Sequence, residues 1–321
     1  MFIAELSLSN FADYDLTSLR TGIMAGSSCP GEQMKRVMRD MSMDEVTIAY
    51  GMTETSPVSW QSVWDTPLEQ RVHTVGRVHP HVECKVVAAD GDEDGDGAGG
   101  GSAEGGTEKV KEGDGMRGGG ALAESVASGV GGVGGVGGVE NNDTPRTMPV
   151  GEAGELWTRG YLVMPGYHEN PEATSESITA DGWMKTGDLA IIDGGGYCSI
   201  VGRIKDTIIR GGENIAPVEV ENVLFTHAAV LNVSVVGVPD DTFGEQVCAC
   251  VIRAPGASVP AGDDDASVEA DIRAFSAERL AHFKVPKYIR FIDAEQLPMT
   301  VSGKVQKNLL RERSAVALGL V

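Results

Sequence analysis

The sequence predicts an α/β region followed by a smaller α+β unit, and three observations support this division. Residues 21–50 alternate an apolar strand, a helix with one apolar face and a β-branched strand, an order typical of an α/β layer with a parallel component. Residues 205–321 read as strands and helices that form a compact α+β unit. The chain of 321 residues, 41% of them hydrophobic, is long enough for one large domain or two ordinary ones.

Taken in order, the predicted elements lie on both sides of a glycine-rich segment. Residues 1–22 are predicted as helix and loop. The elements after them are a short buried strand at 21–26, a helix at 31–40, a strand at 46–50, strands at 154–160 and within 183–202, a helix at 217–225, strands at 230–238 and 246–253, a helix at 268–280 and a last strand at 288–292. We place a domain boundary at Lys205.

The glycine-rich segment, residues 90–146, differs in composition from the rest of the chain. It holds 20 of the 43 glycines, and its 12 acidic and 4 basic residues carry −8 of the formal charge of −21. Such a segment cannot bury enough apolar surface to offset its chain entropy. We therefore expect a flexible, disordered insertion in a surface loop. The acidic charge of the whole chain argues against nucleic acid or an anionic membrane surface as a partner.

The cysteines and histidines bear on the compartment and on metal binding. Five scattered cysteines, an odd number, have neither zinc-site spacing nor the pattern of a disulfide framework. Cys248 and Cys250 alternate along a predicted strand and are expected to share one face of a core. The six histidines form no metal pattern, and the chain shows no membrane-spanning run or signal peptide. These features predict a soluble intracellular protein and do not distinguish mitochondria from cytoplasm.

A charged joint followed by a glycine turn lies at residues 202–215. Arg203, Lys205 and Asp206 are crowded between two apolar runs, and Gly211-Gly212 permits backbone conformations that are closed to other residues. By themselves these residues are as consistent with a plain charged β-hairpin as with a functional segment.

Two candidate nucleotide-binding blocks lie at the ends of predicted strands. Tyr50-Gly51-Met52-Thr53-Glu54 follows one strand directly, and ligands of open α/β sheets bind at the carboxyl ends of strands. An aromatic ring, a hydroxyl and a carboxylate there could meet a base, a phosphate and a magnesium ion, although a satisfied loop is the alternative. Asp188 follows Thr186-Gly187, and its carboxylate could accept hydrogen bonds from both ribose hydroxyls or could simply cap a turn.

A third block, Ser302-Gly303-Lys304, lies near the C-terminus. It is not a phosphate-binding P-loop, because Pro298 occupies the position of the first glycine and Val305 follows the lysine. Without further context Lys304 reads as a surface lysine on a turn.

In this order, the blocks around Tyr50, Asp188, the 202–215 joint and Lys304 resemble the adenylate-forming (AMP-binding) superfamily, and the closest likeness is to medium-chain fatty-acyl-CoA synthetases. The resemblance implies that residues 1–204 are the C-terminal part of a large adenylate-forming domain, and that residues 205–321 are its small α+β C-terminal domain. The family's Ser/Thr/Gly-rich phosphate-binding loop has no counterpart in residues 1–49. We therefore expect the chain to be the C-terminal part of a longer enzyme.

The resemblance also implies roles for individual residues. The nucleotide-binding set has Tyr50 and Gly51 beside adenine, Thr53 at the α-phosphate, Glu54 as a Mg²⁺ ligand, Gly26 and Ser27 in a second adenine-side loop, Asp188 on the ribose, and Arg203 on ribose or phosphate. Lys304 is implied as a catalytic lysine between substrate carboxylate and ATP phosphate, Lys205 and Asp206 as a hinge, and Gly211 and Gly212 as part of the CoA tunnel. Gly154-Glu155-Leu156 and Pro165-Gly166-Tyr167 match a further family block and are expected to be scaffold.

The function implied by the resemblance is that of an acid–thiol ligase in fatty-acid metabolism. It would activate a carboxylic acid with Mg²⁺ and ATP to acyl-AMP and pyrophosphate, and then transfer the acyl group to CoA. Its partners would be small molecules, with no nucleic acid. Two alternatives remain: an adenylating enzyme with another acceptor, and a non-catalytic or incomplete fragment that only binds nucleotide or a partner.

Overall fold

The computed structural model describes residues 2–6, 8–26, 29, 31–89, 145–256, 262, 264–301 and 303–321. The helices in these ranges are α1 (Phe2–Leu6), α2 (Gly31–Asp40), α3 (Leu68–His73), α4 (Pro171–Ser177), α5 (Pro217–Leu224), α6 (Asp265–Ala277) and α7 (Lys307–Ala317). The strands are β1 (Thr21–Met24), β2 (Glu45–Gly51), β3 (Val58–Gln61), β4 (Arg77–Val78), β5 (Val82–Val87), β6 (Gly154–Gly160), β7 (Met184–Ile192), β8 (Cys198–Arg203), β9 (Ile208–Arg210), β10 (Glu213–Ile215), β11 (Val230–Asp240), β12 (Gly244–Arg253) and β13 (Tyr288–Phe291).

The first sheet has the strand order β1-β2-β3-β4, and β1 and β2 run parallel as predicted. Helix α2 covers it with Met34 and Val37, which pack into a core with Met24. The prediction of a buried first strand is wrong in part, because Met24 is buried while Ile23 is 57% exposed. β1 lies at the edge of this sheet beside β2, and successive side chains of a strand point to opposite faces. Helix α2 packs on the face that carries Met24, and the opposite face, which carries Ile23, is exposed.

The second sheet is an antiparallel meander, β5-β6-β7-β8. The turn Asp193–Gly196 joins β7 to β8, and the Asp193 carboxylate accepts hydrogen bonds from the amides of Gly195 (2.8 Å) and Tyr197 (2.9 Å). Residues on this sheet and on β3 form one core, whose members are Trp60, Val86, Leu156, Ala190 and Cys198. Of the predicted insertion, residues 90–144 lie outside the described residues.

The third sheet has the order β10-β9-β12-β11, with β13 parallel to β12. Helices α5 and α6 cover one face and α7 covers the other. The prediction that Cys248 and Cys250 share a face is confirmed, since both are buried on the α7 side. Helix α6 begins three residues earlier than predicted because the Asp264 side chain accepts a hydrogen bond from the Ser267 amide and caps the first turn.

The charged joint forms a short 3₁₀ turn, Ile204–Asp206, between β8 and β9. Thr207 closes it with hydrogen bonds from its hydroxyl to the Arg203 carbonyl (3.1 Å) and from its amide to the Ile204 carbonyl (3.3 Å). The boundary at Lys205, between 1–204 and 205–321, stays a prediction. Within the described ranges no helix combines the length and apolarity needed to cross a membrane.

Candidate active site

Three predicted nucleotide-binding side chains meet in a chain of hydrogen bonds. The Tyr50 hydroxyl donates to Oδ2 of Asp188 at 2.6 Å, and Nε of Arg203 donates to Oδ1 of the same carboxylate at 3.0 Å. Asp188 lies directly opposite Arg203 in the β7–β8 ladder, whereas Tyr50 comes from the end of β2 in the first sheet. The structure therefore brings together residues from three separate sequence blocks, on two different sheets.

The backbone beneath Asp188 is fixed by buried hydrogen bonds. Its amide donates to the Thr186 hydroxyl at 3.1 Å, and that hydroxyl donates to the Leu156 carbonyl at 2.7 Å. The Gly187 amide donates to Glu155 Oε1 at 3.0 Å. Glu155, expected to be scaffold, thus supports the part of strand β7 that carries Asp188.

The Tyr50 hydroxyl is suited to donate rather than to accept. Burial raises the pKa of Tyr50 well above its usual range, and the neighbouring Asp188 carboxylate raises it further. The ring packs partly against the core of the second sheet. The Asp188 side chain is 14% exposed and that of Arg203 is 56% exposed, so the guanidinium forms the solvent side of this site.

Gly51 lies in a place where no larger residue fits. A Cβ atom there would lie 1.7 Å from the Pro57 carbonyl oxygen, because the chain folds back tightly after the strand. Thr55 closes this fold: its hydroxyl accepts from the Met52 amide and donates to the Pro57 carbonyl, both at 3.1 Å. The resulting 3₁₀ turn, Thr53–Thr55, presents the side chains of Thr53 and Glu54 outward.

A contact that the sequence analysis missed holds Glu54. The Tyr167 hydroxyl donates to Oε1 of Glu54 at 3.0 Å, and the Met164 amide donates to the Glu54 carbonyl at 2.9 Å. Burial and the Glu54 carboxylate raise the pKa of the Tyr167 hydroxyl. Pro165-Gly166-Tyr167 was expected to be scaffold, and nothing in its local pattern indicated which distant residue the tyrosine would reach.

The remaining predicted residues are not joined to this group by described contacts. Lys304 is exposed on a turn, where its amide donates to the Thr300 hydroxyl (3.0 Å). Its ammonium makes no hydrogen bond or ion pair with any residue that the structure describes. Gly26 follows β1 with a positive φ of 89°, whereas Ser27 lies outside the described residues. Lys205 and Asp206 lie in the 3₁₀ turn of the joint.

The predicted CoA-tunnel glycines form the tight turn between β9 and β10. Gly211 has a φ of +59° and Gly212 a φ of +90°. The Gly211 amide donates to the Phe243 carbonyl at 2.8 Å, and a Cβ atom on Gly211 would lie 2.9 Å from the Phe243 ring. The Arg210 guanidinium covers the same ring at 4.1 Å. Both the backbone angle and the close approach therefore require glycine at 211.

The site has one carboxylate suited to a magnesium ion. Among the described residues, no group of three or more His, Cys, Asp or Glu side chains could hold a metal by itself. Magnesium in nucleotide sites needs only one or two carboxylates, because substrate phosphates and water complete its coordination. Glu54 fits this requirement, since Tyr167 occupies only Oε1 and Oε2 accepts no hydrogen bond from the described residues.

Comparison with protein families agrees with this arrangement. Residues 1–102 match the family described as AMP-binding enzyme, and residues 219–304 match the AMP-binding enzyme C-terminal domain. The chain belongs to the AMP-binding, adenylate-forming enzymes.

Curated relatives match along nearly the whole chain. It is 42% identical to the protein YngI of Bacillus subtilis over 98% of its length, and 38% identical to the mitochondrial medium-chain acyl-CoA ligase ACSF2 of Danio rerio over 100%. These matches cover 46% and 42% of the two relatives, so the chain spans less than half the length of each.

Solved structures show the same fold. ATP-bound MatB from Rhodopseudomonas palustris is 28% identical with a TM-score of 0.65, covering 91% of this chain and 44% of that one. The anthranilate CoA ligase AuaEII in complex with anthranoyl-AMP has a TM-score of 0.73 at 24% identity, covering 99% of this chain and 49% of that one. The predicted fold class, an α/β region of an adenylate-forming domain followed by an α+β unit, is confirmed by these neighbours.

Proposed function

We propose that this protein acts as an acyl-CoA synthetase, an acid–thiol ligase that activates a carboxylic acid with ATP and transfers the acyl group to CoA. The names of its relatives as acyl-CoA ligases support this activity. The single observation that carries the proposal is the Tyr50–Asp188–Arg203 chain, in which residues from three blocks form one polar site suited to a nucleotide.

The proposed nucleotide contacts follow from the geometry of this site. Each Asp188 oxygen has lone pairs left after its bond to Tyr50 or Arg203, so the carboxylate can accept hydrogen bonds from ribose hydroxyls. The Tyr50 ring offers an apolar surface to the adenine. The exposed Arg203 guanidinium is a donor for ribose or phosphate oxygens. Gly26 and Ser27 are proposed to complete the adenine side.

The phosphates are proposed to lie over the 3₁₀ turn Thr53–Thr55. The Thr53 hydroxyl can donate to the α-phosphate, and Oε2 of Glu54 can ligate Mg²⁺. When bound, magnesium would shield the negative charge of the phosphates.

The proposed reaction has two half-reactions. A substrate carboxylate oxygen attacks the α-phosphorus of ATP, the bond between the α-phosphorus and the bridging oxygen breaks, and pyrophosphate leaves. The Lys304 ammonium stabilises the charge that develops between the reacting oxygens. The CoA thiolate then attacks the acyl carbonyl carbon, and AMP leaves with the electrons of the broken C–O bond.

The second half-reaction is proposed to need a rearrangement of residues 205–321. Lys205 and Asp206 would serve as the hinge, and the turn at Gly211-Gly212 would come close to the pantetheine arm of CoA. Lys304 makes no contact with Tyr50, Asp188 or Arg203 in the part of the chain that the structure describes, which fits a residue that is needed in only one of two arrangements.

The reaction is proposed to take place inside the cell. Cys84, Cys198, Cys248 and Cys250 carry free thiols, and the last three of these are buried. Unpaired thiols are typical of a reducing compartment. The mitochondrial location stated in the names of several relatives is one such compartment.

The proposal is tested with the purified longer enzyme of which this chain is expected to be the C-terminal part. That enzyme is incubated with ATP, Mg²⁺, CoA and a series of fatty acids, and AMP and acyl-CoA are measured. We expect acyl-CoA and AMP to form in equal amounts, and only when the fatty acid and CoA are both present. Acid-dependent exchange of pyrophosphate into ATP without thioester would indicate another acceptor. ATP binding without either reaction would favour a non-catalytic role, and the ligase proposal would then be wrong.

A further inference from the structure

We propose that Tyr167 is a positioning residue that orients the Glu54 carboxylate for magnesium, and so sets the metal requirement of the nucleotide site. The inference rests on the proposed function, in which Glu54 ligates Mg²⁺ beside the ATP phosphates.

Two contacts fasten the loop of Tyr167 to the turn of Glu54. The Tyr167 hydroxyl donates to Oε1 of Glu54 at 3.0 Å, and the Met164 amide donates to the Glu54 carbonyl at 2.9 Å. One contact fixes the backbone of Glu54 and the other fixes its carboxylate. The two segments are 113 residues apart in sequence, so the turn Thr53–Thr55 does not orient this side chain alone.

Tyr167 is itself held in place from the other side. Its amide donates to the Thr174 hydroxyl at 3.0 Å, and the Asn170 amide donates to the Tyr167 carbonyl at 3.3 Å. The Asn170 side chain in turn caps α4 by accepting from the Ala173 amide. The backbone of Tyr167 is therefore anchored to the first turn of a helix, which fixes the point from which its side chain reaches Glu54.

The hydrogen bond between Tyr167 and Glu54 orients the carboxylate for a cation and does not compete with the cation for it. A hydroxyl that donates to one carboxylate oxygen holds the group in a single rotation and leaves the other oxygen for a cation. Removing it leaves Glu54 able to ligate but unoriented, and loss of such outer contacts typically lowers metal affinity about ten- to a hundredfold.

The test compares Tyr167→Phe with Tyr161→Phe, a matched change in the same loop at a side chain that is 74% exposed. Calorimetry measures the dissociation constant of ATP with Mg²⁺ and with EDTA. The wild type and Tyr161→Phe are expected to bind Mg²⁺-ATP more tightly than metal-free ATP. In Tyr167→Phe, the factor by which Mg²⁺ tightens ATP binding is expected to fall about tenfold. Its affinity for metal-free ATP should be unchanged.

A kinetic measurement provides the second readout. The Mg²⁺ concentration needed for half-maximal pyrophosphate exchange should rise about tenfold in Tyr167→Phe, while the rate at saturating Mg²⁺ stays within about twofold of wild type. The positioning role would be overturned if Tyr167→Phe lost ATP affinity equally with Mg²⁺ and with EDTA. It would also be overturned if the rate of pyrophosphate exchange fell and saturating Mg²⁺ did not restore it. Failure of the wild type to bind ATP at all would contradict the proposed function instead.

Discussion

At the scale of the residue, the Asp188 carboxylate shows how two sheets build one polar site. Tyr50 approaches it from the first sheet and Arg203 from the neighbouring strand of the second, each to a different oxygen. A carboxylate held by two donors has little rotational freedom left. If Asp188 binds the ribose as proposed, it should distinguish a sugar with two hydroxyls from one that lacks a hydroxyl, because the held carboxylate cannot move to replace the missing hydrogen bond.

We predict that Tyr50→Phe reduces discrimination between ATP and 3′-deoxy-ATP. The ring that would face adenine remains, but Asp188 is no longer oriented from the Oδ2 side. The wild-type preference for ATP should fall by about tenfold, the size of one hydrogen bond to a charged group. Binding constants for both nucleotides, measured by calorimetry, give the ratio.

Tyr197→Phe is the matched control, because its ring lies under the Arg77 guanidinium (4.5 Å) and not beside Asp188. The ratio of its binding constants for ATP and 3′-deoxy-ATP should equal that of the wild type. If Tyr50→Phe weakened both nucleotides by the same factor, the hydroxyl would have no part in ribose recognition.

At the scale of the element, helix α7 and the turn before it are held very differently. Lys307 at the start of the helix pairs with the buried Glu221 carboxylate of α5 at 2.7 Å, and Glu221 also accepts the Val235 amide at 2.8 Å. Lys304, one turn earlier, is exposed and makes only backbone hydrogen bonds among described residues. The helix is therefore fixed to the third sheet, while the Lys304 side chain is free to serve another arrangement.

We predict that Lys304→Ala and Lys307→Ala separate catalysis from stability. Lys307→Ala should lower the free energy of unfolding by about 1–3 kcal/mol, since it leaves a buried carboxylate without its cation. Lys304→Ala should leave stability unchanged and should slow adenylate formation much more than thioester formation from supplied acyl-AMP. Urea unfolding measures the first effect, and separate half-reaction assays measure the second. Equal losses in both half-reactions for Lys304→Ala would contradict its assignment.

At the scale of the whole molecule, the residues on the two sides of the long insertion are hydrogen-bonded to each other. Val87 pairs with Thr147, the Ala88 amide donates to the Arg146 carbonyl, and the Met148 amide donates to the Val86 carbonyl, the last two at 2.8 Å. β5 also pairs with β6 along Val82–Val87, so neither of these pairings requires the residues between 91 and 143.

We predict that deleting residues 91–143 preserves the fold. The deletion shortens the loop between two strands that already pair, and loop-closure scaling gives a gain of roughly 2 kcal/mol. The melting temperature should stay equal or rise, and nucleotide binding should be retained. Deleting the turn Asp193–Gly196 between β7 and β8 is the control, and it should destabilise the protein. A large drop in melting temperature for the 91–143 deletion would show that the insertion contributes to the core.

The sequence by itself determined the features that depend on neighbours along the chain. Apolar periodicity predicted β2, α2 and the paired strands β11 and β12, because each period reflects burial of one face of a local element. The blocks around Tyr50, Asp188, the 202–215 joint and Lys304 indicated the family, because together and in this order they resemble its motifs. Helix α7 carries no such strong signal, and the sequence analysis left it unassigned.

Only the tertiary structure decided which of these residues meet. Tyr50 and Asp188 are 138 residues apart, and Glu54 and Tyr167 are 113 apart, so no local pattern links them. The exposure of Ile23 likewise depends on which face of β1 is packed against α2 rather than on the apolar composition of the strand. Local periodicity indicates which face of an element is buried. A site built from several elements depends instead on how the sheets pack, and contacts between residues distant in sequence determine that packing.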